Sequence, residues 1–184
     1  CWTCSAKHWR PATRAGAGRS SFNFSRSTAR FAGVASRPSI RVAASPGKSS
    51  TIEKMMADTS NGLLVLNFWA TFCKPCVEEI PHFIKTANKY KDRGLKLLLV
   101  SLDLPAQYPV KLKAFAKKHQ FNAPLAWLDE SNADYFCPKV NPKWSGAIPA
   151  TLFINNKTGY RNFVEEQIPH EQLKIEIRAI LKKG

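Results

Sequence analysis

Two cysteines separated by two residues lie between an apolar run and an acidic segment, in the stretch NFWATFCKPCVEEIP (67–81). The run LLVLNFWA (63–70) has the length of a β-strand and is apolar almost throughout, as expected of a strand buried on both faces. LKLLLVSLD (95–103) has the same character and predicts a second buried strand. With a helix between these strands, residues 63–103 form one strand, helix, strand unit, whose crossover we expect to be right-handed. The cysteines then lie where the first strand passes into the helix.

The helix of this unit is predicted from the spacing of its apolar residues. Its core face is expected at four positions: Val77, Ile80, Ile84 and Ala87. Pro81 lies inside the helix and is expected to kink it. Gly94, in KDRGLK, is expected to cap its C-terminal end.

The segments around this unit predict an α/β fold. A short helix with Ser50 as its N-cap is expected in STIEKMMADTSNG (50–62), ended by a turn at Asn61 and Gly62. Four further elements are predicted: a helix around 112–119, a short strand near LAWLD (125–129), an antiparallel hairpin in ATLFINNKTGYRNFVEEQ with its turn at 155–159, and a closing amphipathic helix around 173–181. Together they predict a mixed central β-sheet flanked by helices on both faces.

The positive charge of the chain is concentrated at its N-terminal end. The formal net charge is +15, but residues 1–52 contain nine Lys and Arg and no acidic residue, because the first carboxylate is Glu53. The remainder carries 19 basic and 13 acidic residues, which is an ordinary solvated surface for a globular domain. Since no recognised nucleic-acid-binding module is present, we expect no nucleic-acid partner.

Residues 1–50 are rich in Ser, Arg, Ala and Gly and show no apolar periodicity, so we predict a disordered basic arm before a folded domain at 51–184. The arm lacks the unbroken apolar stretch of a secretory signal, and no segment approaches the length of a membrane span. Its composition is typical of an organelle transit peptide, and SIRVAAS (39–45) is similar to a chloroplast-type processing site. The alternative is an artefactual segment that does not belong to the native protein.

The position of the two cysteines favours redox chemistry over a structural or metal-binding role. Cys73 immediately precedes the helix, where unpaired N–H groups and the helix dipole favour a thiolate, and Lys74 adds a positive charge nearby. Pro75 suits the first helical turn because no hydrogen bond is lost there. Cys76 is expected on the same side, as the thiol that resolves a mixed disulfide formed at Cys73. A zinc site would need a second pair of ligands, and the other closely spaced cysteines lie in the arm.

Two motifs carry a family resemblance. VLNFWATFCKPCVEEIP (65–81) and GAIPATLF (146–153) together resemble the thioredoxin superfamily, and most closely its TlpA-like branch of thiol-disulfide oxidoreductases. The resemblance covers the predicted folded domain and implies a thioredoxin fold. It also implies a cis peptide between Ile148 and Pro149, beside the cysteines, where the flanking backbone pairs with an extended substrate.

The resemblance further implies a function and a setting. The implied activity is that of a disulfide reductase acting on protein disulfides, with Cys73 as the attacking and Cys76 as the resolving thiol, an upstream thiol electron donor, and no cofactor other than the redox-active disulfide. A monomer is expected, in the bacterial periplasm or cell envelope, whereas the transit-like arm indicates an organelle. Substrate contacts are expected from six residues: Trp69, Phe72, Lys74, Pro75, Ile148 and Pro149.

Three positions depart from or refine the thioredoxin pattern. Asn67 stands where cytosolic thioredoxins carry a buried aspartate, so another group must accept the proton of the resolving thiol. Glu79 matches a glutamate found near the active site in some TlpA-like proteins and is a candidate for this acid/base role. The other interpretation of Glu79 is a solvated charge on the helix surface. Phe72 stands where a tryptophan is common in the family.

Two other functions occur on this fold. A peroxiredoxin would need Thr or Ser three residues before its reactive cysteine, where this chain has Ala70. A copper-delivery protein would bind metal through both cysteines and a histidine, His82 or His170, although such proteins usually have wider cysteine spacing. Copper binding is therefore the alternative to the oxidoreductase. Cys137, in DYFCPKV, has no partner at motif spacing and predicts a small buried residue.

Overall fold

Five strands form one mixed sheet in the order β3-β2-β1-β4-β5 in the computed structural model, which describes residues 49–59 and 63–182. The strands are β1 (Leu63–Trp69), β2 (Lys96–Ser101), β3 (Leu125–Trp127), β4 (Ala150–Asn155) and β5 (Tyr160–Val164). β1, β2 and β3 run parallel, whereas β4 is antiparallel to both β1 and β5. The predicted strand, helix, strand unit and the hairpin are confirmed.

Within the part of the chain that the structure describes, five α-helices cover the sheet, and there are two short 3-10 turns, at Lys91–Arg93 and Pro105–Gln107. The helices are α1 (Ser49–Ala57), α2 (Lys74–Tyr90), α3 (Val110–Lys118), α4 (Ala133–Val140) and α5 (His170–Lys182). α1 begins at Ser49, so Ser50 lies within this helix rather than before it. The rest of the predicted arm and the predicted turn at Asn61 and Gly62 lie outside the described residues.

Side chains of β1 alternate between the two faces of the sheet because successive residues of a strand point in opposite directions. Asn67 and Trp69 meet α2 and α3 respectively, through a hydrogen bond to Glu79 and a ring contact with Phe115. Phe68, on the opposite face, packs edge-on against the ring of Phe136 in α4. Helices therefore lie on both faces of the sheet, as predicted.

The buried face of α2 differs from the predicted one. Its buried residues are Cys76, Glu79, Ile80, Phe83, Thr86 and Tyr90, whereas three of the predicted core residues are only half-buried. The face predicted from the apolar spacing is displaced by about one residue from the observed one. The reason is that two polar residues, Glu79 and Thr86, belong to the buried face, and a prediction from hydrophobic residues leaves them out. α2 continues through Pro81 to Tyr90. Gly94 adopts φ +84° after the 3-10 turn Lys91–Arg93, at the predicted end of the helical segment.

α4 was not predicted, because its sequence ADYFCPKV is short and contains Pro138. Its start is nevertheless marked in the sequence: the Asn132 side chain accepts a hydrogen bond from the N–H of Tyr135, as an N-cap does. None of the helices in the described ranges is long and apolar enough to span a membrane.

Candidate active site

Cys73 and Cys76 form a disulfide at the start of α2, with their Cα atoms 5.3 Å apart. Cys73 is the N-cap residue of the helix and has extended backbone angles, and its carbonyl accepts a hydrogen bond from the N–H of Val77. Cys76 lies in the first helical turn, and both cysteines are buried in this oxidised form. The sequence placed both residues correctly, because a buried strand followed by a helix leaves only a short turn between them.

The peptide bond between Ile148 and Pro149 is cis, as the resemblance implies. β1 and β4 pair with Phe68 opposite Ala150. Continuing this register by one residue places Pro149 level with Trp69, at the end of β1 from which the cysteine turn leaves. The cis proline and the disulfide therefore lie at the same edge of the sheet.

Glu165 holds the loop that leads to Pro149. One of its carboxylate oxygens, Oε1, accepts hydrogen bonds from the Ser145 hydroxyl and from the N–H groups of Ser145 and Ala147, the latter two at 3.0 Å each. The Trp144 indole also donates to the carbonyl of Ala147, at 2.9 Å. Four hydrogen bonds thus define the backbone immediately before the cis peptide.

Asp103 holds the turn that carries the cysteines. It is buried after the end of β2, and its carboxylate accepts hydrogen bonds from the N–H and hydroxyl of Thr71 and from the hydroxyl of Ser101. The Trp127 indole donates to the carbonyl of Asp103 at 2.7 Å. Neither Asp103 nor Glu165 belongs to the motifs recognised in the sequence. The feature of the sequence that could have indicated them is their position after a strand, because residues that follow β2 and β5 lie at the same edge of the sheet as the cysteine turn.

Glu79 is buried on α2, three residues after Cys76, with 1% of its surface exposed. Its Oε1 accepts a hydrogen bond from Asn67 Nδ2 at 2.8 Å, and its Oε2 accepts one from the N–H of Ile168 at 2.9 Å. Burial raises the pKa of Glu79 from 4.5 to about 8, although both hydrogen bonds act to lower it. The interpretation of Glu79 as a solvated surface charge is therefore wrong.

The other predicted substrate contacts divide into exposed and buried groups. Phe72 is 56% exposed, Lys74 is exposed and lies 3.9 Å from Glu78, and Pro75 is half-buried. Trp69 is completely buried and packs against the rings of Phe115 and Phe121, so it belongs to the core and does not present a surface to a substrate. Ile148 and Pro149 are also buried, whereas Ala147 immediately before them is half-buried.

The histidines proposed for copper lie on different helices. His82 in α2 and His170 in α5 stack with their ring centroids 4.6 Å apart. Within the described residues, no three His, Cys, Asp or Glu side chains are grouped so that they could hold a metal ion. Cys137 is a buried free thiol, as predicted, and burial raises its pKa to about 11.

Comparison with known proteins identifies the family of this chain. The profile of the AhpC/TSA family matches residues 41–159, which is more than half of the sequence. The chain belongs to the AhpC/TSA family. Within it, the chain is similar to the thiol-disulfide oxidoreductase ResA of Bacillus thuringiensis subsp. konkukian, with 32% identity over 119 residues, which cover 64% of this chain and 61% of that protein. The chain therefore spans less than two thirds of this relative's length.

Solved structures confirm that this AhpC/TSA family member has a thioredoxin fold. A thioredoxin-related protein from Neisseria meningitidis serogroup B aligns with a TM-score of 0.57 and 21% identity, over 66% of this chain and 87% of the other. A putative thiol:disulfide interchange protein DsbE from Chlorobium tepidum aligns with a TM-score of 0.54 and 22% identity, over 68% and 84%. Together, the family profile, the similar ResA protein and the shared fold confirm the resemblance to the TlpA-like branch of the thioredoxin superfamily.

Proposed function

We propose that this protein is a thiol-disulfide oxidoreductase that reduces protein disulfides through Cys73 and Cys76. The observation that carries the proposal is the Cys73–Cys76 disulfide at the start of α2, at the same edge of the sheet as the cis proline. The name of the similar Bacillus protein supports the same reaction class. The redox-active disulfide is the only cofactor that the proposed reaction needs.

In the proposed reaction, the reduced enzyme is the electron donor. The Cys73 thiolate attacks one sulfur of the substrate disulfide, so that a mixed disulfide forms, the substrate S–S bond breaks and a substrate thiolate leaves. The Cys76 thiolate then attacks Cys73 Sγ, which forms the Cys73–Cys76 disulfide and releases the second substrate thiolate. Two electrons pass to the substrate, which takes up two protons. An upstream dithiol reduces the enzyme again by the reverse exchange.

Cys73 is proposed as the attacking thiol because of its position at the helix N-terminus. The first N–H groups of α2 and the helix dipole stabilise negative charge there, and the exposed Lys74 ammonium acts in the same direction. Cys76 lies inside the first turn, three residues after Cys73 and within disulfide distance of it, so it is suited to resolving a bond formed at Cys73.

Glu79 is proposed as the group that exchanges a proton with Cys76. The two residues are three positions apart on the buried face of α2, which brings their side chains to the same side of the helix. Burial raises the pKa of Glu79 to about 8, close to neutral pH, so its carboxyl group can both hold and release a proton there, which is the condition for efficient general acid–base catalysis.

The surface proposed for substrate binding lies between the cysteine turn and the cis proline loop. Phe72 and Lys74, next to Cys73 in the sequence, are exposed, and Pro75 is partly buried. The backbone around Pro149, at the same edge of the sheet, is proposed to pair with an extended segment of the substrate, as in strand addition.

The test is reduction of insulin disulfides with dithiothreitol as the electron donor, by the parent and by the Cys73→Ser and Cys76→Ser variants. We expect activity to be lost in both variants, and a covalent complex with the substrate to accumulate only in Cys76→Ser. Cys137→Ala is the matched control and should keep the parent's activity. An inactive parent, or activity that does not depend on Cys73, would contradict the proposal, and stoichiometric copper retention would then favour the copper-binding alternative.

A further inference from the structure

Asn67 lies at the centre of the sheet, between Glu79 and Thr151. It is completely buried in β1 and pairs in register with Thr151 of β4. Its Nδ2 atom donates two hydrogen bonds, to Glu79 Oε1 at 2.8 Å and to Thr151 Oγ1 at 3.1 Å. Both N–H bonds of the amide are therefore used, one on the carboxylate and one on the hydroxyl.

The other end of the same amide is not satisfied. Asn67 Oδ1 is buried and accepts no hydrogen bond from any residue that the structure describes. Buried acceptors without a partner are uncommon in native proteins, because they lose their hydrogen bonds to water, and each one calls for an explanation. The amide is thus oriented to favour its two donated hydrogen bonds, at the expense of its own oxygen.

This orientation suits the ionised form of Glu79. A carboxylate only accepts hydrogen bonds, so an amide turned the other way would place Oδ1 against Glu79 Oε1 and bring two acceptors together. Thr151 can accept as well as donate, so its hydroxyl adapts to the orientation that suits the carboxylate.

Few groups around Glu79 contact its carboxyl group. β1 contributes Asn67, β4 contributes Thr151 through Asn67, and the segment after β5 contributes the N–H of Ile168. On its own helix, Cys76 lies three residues before Glu79 and carries no charge in the disulfide, and His82 lies three residues after it and is exposed. Burial and the two hydrogen bonds are the causes that set the pKa of Glu79, and none of them is a charged side chain.

We propose that Asn67 is a positioning residue for Glu79: its amide, oriented by Thr151, stabilises the Glu79 carboxylate in the core so that Glu79 can ionise during turnover. The inference rests on the proposed function, because it assigns a partner to the acid/base residue of the same site. Hydrogen bonds to a charged acceptor are the strong ones, and Glu79 accepts one of its two from Asn67. Without Asn67, the ionised carboxylate keeps only one of its two hydrogen bonds, the one from Ile168. The protonated carboxyl group is destabilised much less by the same loss.

The experiment is a titration of Glu79 in the oxidised full chain, by carbon NMR of protein carrying labelled glutamate carboxyl groups. The Glu79→Gln spectrum identifies the signal by its absence. We expect the titration midpoint in Asn67→Leu to lie about one to two pH units above that of the parent, from the loss of one hydrogen bond to a charged group. Thr151→Val should move the midpoint in the same direction by less, and Thr151→Ser, which retains the hydroxyl, should restore it.

An unchanged midpoint in Asn67→Leu would overturn the inference, as would a Thr151→Ser variant that behaves like Thr151→Val. If Asn67→Leu does not fold, the comparison of the Glu79 midpoints in Thr151→Val and Thr151→Ser tests the inference by itself. The pH dependence of insulin reduction, measured in parallel, separates the two proposals. A shifted midpoint in a protein that does not reduce insulin contradicts the proposed function and leaves the role of Asn67 standing. Insulin reduction that depends on Cys73, with a Glu79 midpoint insensitive to Asn67, contradicts the inference alone.

Discussion

The carboxylate of Asp103 binds Thr71 through both its backbone and its side chain: Oδ1 accepts the N–H of Thr71 at 3.0 Å and its hydroxyl at 2.5 Å. Asp103 follows β2, whereas Thr71 lies in the turn after β1, two residues before Cys73. The contact therefore connects the ends of two parallel strands and holds the turn from which the helix carrying the cysteines begins.

Asp103→Asn should destabilise the oxidised protein by about 2–3 kcal/mol, because hydrogen bonds to a buried charged acceptor contribute about 1.5–3 kcal/mol and an amide replaces one acceptor by a donor. The free energy of unfolding from urea denaturation measures the effect. Thr71→Ser keeps both donors and is the control, with an expected loss below about 1 kcal/mol. Parent-like stability of Asp103→Asn would show that the carboxylate does not hold the turn.

Glu165→Ala should weaken the reaction with protein disulfides more than the reaction with small reagents. The three hydrogen bonds that Glu165 Oε1 accepts define the loop before Pro149, and displacement of that loop would misplace the backbone proposed to bind substrate. We expect kcat/KM for insulin to fall about tenfold or more, since small misplacements of bound groups are costly to rate. Alkylation of the reduced Cys73 by iodoacetamide should change little.

The matched control for this experiment is Glu166→Ala, which removes the exposed neighbouring carboxylate and should retain the parent's kcat/KM. If Glu165→Ala slows insulin reduction and iodoacetamide alkylation equally, the substitution has caused a general loss of structure. Equal effects of the two alanine substitutions would point to loss of surface charge.

Glu79 should make the oxidised protein less stable as the pH rises from about 4.5 to 8. Its pKa is raised by burial to about 8, so in this interval the folded state holds a proton that the unfolded state has released. The stability associated with this group is fully present below pH 4.5 and is lost as the pH rises through 8, with a slope of up to about 1.4 kcal/mol per pH unit. Urea denaturation at several pH values measures the slope.

Glu79→Gln removes the titrating carboxyl and should flatten this pH dependence, whereas Glu78→Gln, which removes a partly exposed carboxylate on the same helix, should leave it unchanged. A pH dependence that persists in Glu79→Gln would assign the effect to another group.

Cys137 should be the slow thiol of the folded domain after reduction. Burial raises its pKa to about 11, so very little thiolate is present at neutral pH, whereas Cys73 lies at the N-terminus of α2, where a thiolate is stabilised. Iodoacetamide at pH 7 should modify Cys73 much faster than Cys137, as measured by mass spectrometry of peptides over time. In urea the two rates should converge. Rapid modification of Cys137 in the folded protein would contradict its burial.

Features that depend on neighbouring residues along the chain could be predicted from the sequence. The cysteine pair, the strand before it and the helix after it are local patterns, and the hairpin from Ala150 to Val164 is marked by its own turn. The motif around Pro149 identified the cis peptide by family resemblance. The eight residues of α4 were missed because a helix of that length, with a proline inside it, has little local signal and is stabilised by packing.

The sequence by itself determined the family, the order of most elements and the positions of the two thiols, because spacing and motif are properties of the chain. Only the tertiary structure decided the environment of Glu79, since the groups that bury and bind it, Asn67 and Ile168, lie 12 and 89 residues away. The roles of Asp103 and Glu165 are likewise visible only in the fold, which brings their carboxylates to donors on separate loops. A glutamate in a predicted helix looks the same in the sequence whether its carboxyl group is solvated or buried. The free-energy difference between the solvated and the buried carboxyl group depends on residues that are distant in the sequence and that only packing brings together.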